Sequence, residues 1–118
     1  AGAVIVSTPQ DLALIDAKKA IDMLRGTNVP LFGLVENMSY FIAPDTGARY
    51  DIFGHGGARA AAEPMGLPFL GEIPLVMRIR ETSDAGAPVT ATDPAGAEAG
   101  AFRAIAQRIL IAHPTLRR

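Results

Sequence analysis

The spacing of apolar and polar positions changes several times along the chain, and each change marks an element. Ala3-Val4-Ile5-Val6 is an unbroken apolar run, the pattern of a parallel strand covered on both faces. It gives way to Ser7-Thr8-Pro9-Gln10-Asp11. Here Thr8 suits an N-cap, Pro9 the first helical position, and Asp11 the positive end of the helix dipole. From there to about Arg25, Leu14, Ala17, Ile21 and Leu24 recur every three or four residues and share one helical face. Gly26 is expected at the C′ position. A second apolar strand runs from Leu31 to about Glu36 and stops abruptly in the polar pair Glu36-Asn37. With a helix between them, the two strands are expected to be parallel and joined by a right-handed crossover.

Residues 38–48, which include Pro44 and Gly47, read as a loop. Arg49-Tyr50-Asp51-Ile52-Phe53 alternates and suits a short extended segment or a hairpin arm. Small residues from Gly56 to about Met65 predict a helix, closed by Pro64 and by Gly66-Leu67-Pro68. Phe69 to Ile73 is a third short strand, stopped by Pro74. A helix follows over Leu75 to Ser83 with Leu75, Met77 and Ile79 inward, broken by the stretch from Asp84 to Pro88. Asp93-Pro94 repeats the N-cap and first-turn signature, and the last helix runs to about Ala112, burying Phe102, Ile105, Ala106 and Ile109. The order is βαβ-loop-αβαα, an α/β chain. Three apolar parallel strands cannot bury both faces of a sheet, so further strands are expected to complete it. A chain that opens directly in a buried strand is expected to be part of a longer polypeptide.

Composition narrows the classes. The 118 residues, 49% hydrophobic, fit one domain with a real core. A net charge of -1 lacks the basic excess of a nucleic-acid-binding surface. With no cysteine, these residues offer no disulfide, thiolate metal site or cysteine nucleophile. No apolar run approaches the ~20 residues that cross a bilayer, and no cleavable leader is evident. A cytoplasmic protein that binds neither nucleic acid nor membrane is expected.

Candidate chemistry centres on Asn37. It stands at the carboxyl end of a strand, where open α/β sheets bind ligands, and an amide can both donate to and accept from a heterocycle edge. An Asn capping the turn after the strand fits the same spacing, and on spacing alone is the commoner arrangement. Gly54-His55-Gly56-Gly57 precedes a helix and could present amides to an anion, but a tight helix entry fits it better. It lacks the lysine and hydroxyl of G-x-x-x-x-G-K-[ST], a motif found nowhere in these residues. His55 and His113 are far apart, and Asp45, Asp51 and His55 match no metal-ligand spacing, so no metal ligand is assigned. Glu36 is either functional or salt-bridged. No pair of acids takes general acid and base roles, so no catalytic residue is assigned.

Four ordered blocks carry a resemblance. Val6-Ser7-Thr8-Pro9-Gln10-Asp11, Val35-Glu36-Asn37-Met38-Ser39-Tyr40-Phe41, Asp51-Ile52-Phe53-Gly54-His55-Gly56-Gly57 and Phe69-Leu70-Gly71-Glu72-Ile73-Pro74-Leu75 resemble, in the same order, the Mrp/ApbC family. Its members are P-loop ATPases that carry iron–sulfur clusters, relatives of MinD-type ATPases and the nitrogenase iron protein. The likeness continues through Ile79-Arg80-Glu81 and Ser83-Asp84-Ala85-Gly86 and spans nearly the whole chain. It implies that residues 1–118 are the C-terminal half of one P-loop NTPase domain, a parallel sheet with helices on both faces. The phosphate loop and the magnesium-binding acid would lie upstream of Ala1.

The resemblance further implies ATP with Mg2+ as cofactor once that other half is present, a homodimer, and iron–sulfur client apoproteins. Alone, the fragment is expected to be inactive. Asn37 resembles the adenine-contacting amide, and Pro74-Leu75 the segment covering the ring's other side. Thr8-Pro9-Gln10 resembles a turn near the nucleotide and dimer face. One departure stands out. Where family members that bridge a [4Fe–4S] cluster carry Cys-Pro-x-Cys, this chain has Ala43-Pro44-Asp45-Thr46. Either a cluster is held by residues elsewhere, or the protein has lost that role and kept the ATPase; a scaffold or adaptor on the same fold that binds no cluster is the second reading. A MinD- or ParA-like positioning ATPase ranks third. It would be expected to carry an amphipathic tail or a basic face, and the last helix has only Arg103 and Arg108 before Arg117-Arg118.

Overall fold

Three parallel strands form the sheet of the computed structural model, which describes residues 1–54 and 56–117: β1 (Ala3–Ser7), β2 (Leu31–Glu36) and β5 (Phe69–Glu72). Their spatial order is β1-β2-β5, with Ile5 beside Leu34, Val6 beside Val35, and Val35 beside Gly71. Two residues each of β3 (Phe41–Ile42) and β4 (Arg49–Tyr50) make a separate antiparallel hairpin. The expected extended segment at Arg49 is therefore a hairpin arm, and its partner lies inside the stretch read as loop.

The helices divide between the two faces. On one side α1 (Asp11–Gly26) and α2 (Gly57–Ala62) cover Ile5 and Leu34, and the stripe of Leu14, Ala17, Ile21 and Leu24 enters this core. On the other, α3 (Met77–Asp84) and α5 (Ala97–Ala112) bring Ile79, Ala101, Ile105 and Ile109 onto Val35, Leu70 and Ile73. A short α4 (Val89–Thr92) and a 3-10 turn (Pro114–Arg117) flank α5. Because α5 crosses above β5, Val4 and Val6 on the α5 side of β1 are left 36% and 59% exposed. Within this chain β1 is covered on one face, where the sequence predicted two. Phe102 at 38% exposure and Ala106 also stay outside the core, because the contact stripe of α5 runs through Ala101, Ile105 and Ile109. That contact is close: a Cβ on Gly71 would lie 2.9 Å from Ile105 Cγ1.

Helix ends differ from expectation for identifiable reasons. Gln10, not Thr8, is the N-cap of α1; it is extended, and the Thr8 hydroxyl donates to the Gln10 side chain instead of to the helix. At the other end Gly26 is still helical. Asn28 takes the left-handed position at φ 60°, and its N–H reaches Arg25 O (3.2 Å) while Val29 N–H reaches Leu24 O (2.9 Å). This pair of bonds is a Schellman closure. Asp93 ends α4 and pairs with Arg78 at 3.0 Å, so Gly96 is the N-cap of α5. The helix expected from Leu75 begins at Met77, which is exposed, because Leu75 is engaged by Phe41 in a parallel bridge.

Candidate functional site at the carboxyl ends of the strands

The carboxyl ends of β1, β2 and β5 are laced together by main-chain bonds. Asn37 N–H donates to Ser7 O (2.7 Å), carrying the β1–β2 ladder one residue past the strand. Ile73 N–H donates to Glu36 O (2.8 Å) and Ser39 N–H to Ile73 O (3.0 Å). Between these anchors the chain must reverse its side-chain sense within two residues. Met38 does so at φ 51°, in the left-handed region that costs a non-glycine residue ~1 kcal/mol or more.

Glu36 is the organiser of this corner. Its residue is 0% exposed, Oε1 accepts from the Ser39 hydroxyl at 2.5 Å, and Oε2 accepts from Ala58 N–H at 2.9 Å. Ala58 lies in the first turn of α2, where backbone N–H groups lack intrahelical partners and favour a carboxylate. The open question about Glu36 resolves: it is buried, pairs with no cation among the described residues, and caps a helix. Beside it, Gly57 admits Pro9, whose carbonyl oxygen would lie 2.7 Å from a Cβ at that position. The Thr8–Gln10 turn, the Asn37–Ser39 turn and the start of α2 are therefore mutually fixed. His55 lies outside the described residues.

Asn37 is half-buried, and among the described residues its side-chain amide makes no hydrogen bond, so no Asx turn is formed there. It borders two cavities. One of about 520 Å³ runs along the outer edge of β1 with Ser7, Thr8, Ala13 and Asp16. The other, about 430 Å³, lies on the opposite face among Val6, Val35, Ile73, Ile79 and Phe102. Pro74 is buried and Leu75 half-buried. Leu75 N–H donates to Tyr40 O (2.6 Å) and Leu75 O accepts from Ile42 N–H (3.4 Å), so this segment is zipped to the chain leaving Asn37. Asn37 and Pro74-Leu75 thus share one end of the sheet.

The hairpin tip offers a different chemistry from a cluster cradle. Ala43 is buried, and main-chain bonds close the tip from Ala43 N–H to Ala48 O (2.9 Å) and from Gly47 N–H to Ala43 O (2.8 Å). Thr46 Oγ1 accepts from Ala48 N–H (3.2 Å). Pro44, Asp45 and Thr46 are exposed. Cluster iron takes thiolate, or less often imidazole, so the side chains present at 43–46 do not fit one. The stem is braced by Arg49, whose guanidinium lies 3.9 Å from the Tyr40 ring centroid, and by Phe41 against Tyr50. Among the described residues no three potential metal ligands converge, and no helix is long and apolar enough to cross a membrane.

A parallel sheet with helices on both faces and its polar loops gathered at the strand carboxyl ends defines an open α/β domain of the kind that binds ligands at those strand ends. The chain belongs to the ParA family of NUBPL-type iron-transfer P-loop NTPases, whose model matches residues 1–110. It is 57% identical over 108 residues to an iron-sulfur cluster carrier protein of Deinococcus radiodurans, covering 92% of this chain and 30% of that one. Two solved structures are similar. The Archaeoglobus fulgidus nucleotide-binding protein in complex with ADP has TM-score 0.62 and 43% identity, over 73% of this chain and 35% of that one. The Pyrococcus furiosus cell division ATPase MinD has TM-score 0.73 and 26% identity, over 94% and 43%. The chain spans about a third of the length of the curated relatives it matches.

Proposed function

We propose that residues 1–118 form the C-terminal, base-recognising half of a P-loop ATPase domain that works in iron–sulfur cluster assembly or transfer. Asn37 reads the adenine edge, and Pro74-Leu75 walls the ring. The observation that carries this is the unpartnered Asn37 amide, held half-buried where the three strand ends are joined. No buried side-chain polar atom is left unsatisfied among the described residues, so this amide faces solvent, free to donate to and accept from a planar ligand edge. The A. fulgidus relative, solved with ADP, supports a nucleotide at this fold. Residues outside 1–118 supply the phosphate cradle and hold Mg2+, which would neutralise charge on the transferred phosphate. The full-length protein works as a cytoplasmic homodimer and hands clusters to apoprotein clients.

The test is nucleotide binding by the full-length protein. Asn37→Ala is expected to weaken ADP about 5- to 30-fold, the equivalent of ~1–2 kcal/mol of hydrogen bonding, and to affect GDP less. Unchanged ADP affinity would remove the adenine role. The purified 118-residue chain alone should show no ATP turnover, since it carries no phosphate loop.

The closed hairpin tip favours a second reading, a scaffold of the same fold that handles no cluster. Anaerobic reconstitution of the full-length protein separates the two. Stoichiometric iron and sulfide place the cargo on residues outside this chain's hairpin, and their absence favours the scaffold.

A further inference from the structure

We infer that Glu36 is the positioning residue of the base site, the group that aims Asn37; this rests on the adenine reading of Asn37. Its two oxygens act in two directions. Oε1 holds Ser39, closing the Asn37-Met38-Ser39 turn from inside while main-chain bonds to Ser7 and Ile73 close it from either end. Oε2 ties the same turn to Ala58 and hence to α2. Through Gly57, α2 in turn abuts Pro9, and Thr8 of the same turn lines one cavity with Asn37.

A residue needed only to fill space here would be aliphatic, since burying a carboxylate costs solvation that an apolar side chain does not lose. What a planar, two-oxygen head adds is direction: two bonds at once, one to Ser39 three residues on and one to Ala58 22 residues on, joining the asparagine's own turn to α2. The left-handed Met38 shows that this turn is not a relaxed local conformation. Its geometry is imposed by such tethers, and a reading amide gains selectivity only if its plane is fixed before the ligand arrives.

The test uses full-length protein titrated with ADP, GDP and inorganic pyrophosphate, in Glu36→Gln, Glu36→Ala, Ser39→Ala and Asn37→Ala. Glutamine keeps the shape: its carbonyl oxygen can accept from Ala58 N–H, and its NH2 can donate to the Ser39 hydroxyl. It should hold the ADP-over-GDP preference within about twofold of wild type, whereas Ser39→Ala should lower it about threefold, because one of the two tethers is lost and the other remains. Glu36→Ala, if it folds, should lower the preference as far as Asn37→Ala does. Pyrophosphate affinity should stay within about twofold throughout, because it reports the phosphate cradle and not the base site.

Unaltered preference in Ser39→Ala, or loss of preference in Glu36→Gln, overturns the inference. So does pyrophosphate binding that falls in step with ADP, since that marks general loosening. If Asn37→Ala itself keeps the preference, the adenine reading fails first, and that outcome is distinct from failure of the Glu36 inference alone.

Discussion

Replacing Gly57 by alanine should destabilise the protein, and the same exchange at Gly100 should stabilise it. Both glycines lie in helices, Gly57 opening α2 and Gly100 inside α5. At Gly100 nothing lies within 4 Å of an added Cβ, so the change keeps only the helix-propensity gain of ~0.5–1 kcal/mol. At Gly57 the new Cβ would stand 2.7 Å from Pro9 O and 3.3 Å from Leu14 Cδ1. Leu14 can rotate away. Pro9 cannot retreat cheaply, since its turn is flanked by β1 and by the first hydrogen bond of α1, from Leu14 N–H to Gln10 O. Overpacking of this kind costs ~1–3 kcal/mol, and the backbone-entropy gain of ~0.5 kcal/mol offsets only part of it. The net expectation is about 1–2 kcal/mol of lost stability at Gly57. With a urea dependence of ~1–2 kcal/mol/M, the unfolding midpoint falls by about 1 M, and for Gly100→Ala it rises by roughly half that. Equilibrium urea denaturation with an unchanged slope is the assay. A Gly57→Ala protein as stable as wild type would mean that the Thr8–Gln10 turn and α2 are not rigidly pressed together, and the mutual fixing of the three loops would fall with it.

Other perturbations probe separate contacts. Asn28→Ala puts a side chain without a compensating polar group into the left-handed position and should cost ~1 kcal/mol, while Asn28→Gly should be neutral or slightly stabilising in the same denaturation assay. Ile21, 1% exposed at the centre of the α1 contact, should cost ~2–5 kcal/mol when cut to alanine. Arg108 donates to Phe69 O (3.3 Å) and Leu70 O (3.0 Å), so Arg108→Met should cost ~1–2 kcal/mol by thermal unfolding. Arg80→Met, which breaks only a solvent-exposed pair with Asp84, should shift stability by less than ~0.5 kcal/mol. Equal effects of the two arginines would show that the β5 carbonyls do not need their cation.

What the sequence disclosed and what it hid divide along the range of the interactions. The α1 stripe, β2 and the third strand announced themselves because each carries its own apolar pattern over several residues; β2 appears with the bounds expected, and the other two with ends shifted by a residue or two. Caps proved less legible. Thr8 and Asp93 have the right chemistry for N-caps, yet each side chain is engaged otherwise, Thr8 locally with Gln10 and Asp93 across the fold with Arg78. β3 is two residues long, too short for any period, and exists because β4 and Leu75 both pair with it. The double exposure of Val4 and Val6 depends on where α5 lies, which no residue of β1 encodes. The position of Asn37 at the carboxyl end of β2 was legible from the apolar run before it. The use of Glu36 was not. Its Ser39 partner sits three residues away, but the Ala58 N–H is 22 residues on and is a backbone group that carries no sequence signal.

The hairpin tip has a consequence for how such a chain can drift. Two main-chain bonds between Ala43, Gly47 and Ala48 close it, with a single side-chain contact from Thr46, and Pro44 and Asp45 project into solvent. The stem below is secured independently, through Leu75 and the Arg49–Tyr40 contact. Substitutions at the exposed positions Pro44, Asp45 and Thr46 therefore leave the sheet, the strand-end loops and Glu36 untouched. Such a loop behaves as an exchangeable cassette: lineages on this scaffold can gain or shed ligating side chains there one at a time, without passing through an unfolded intermediate.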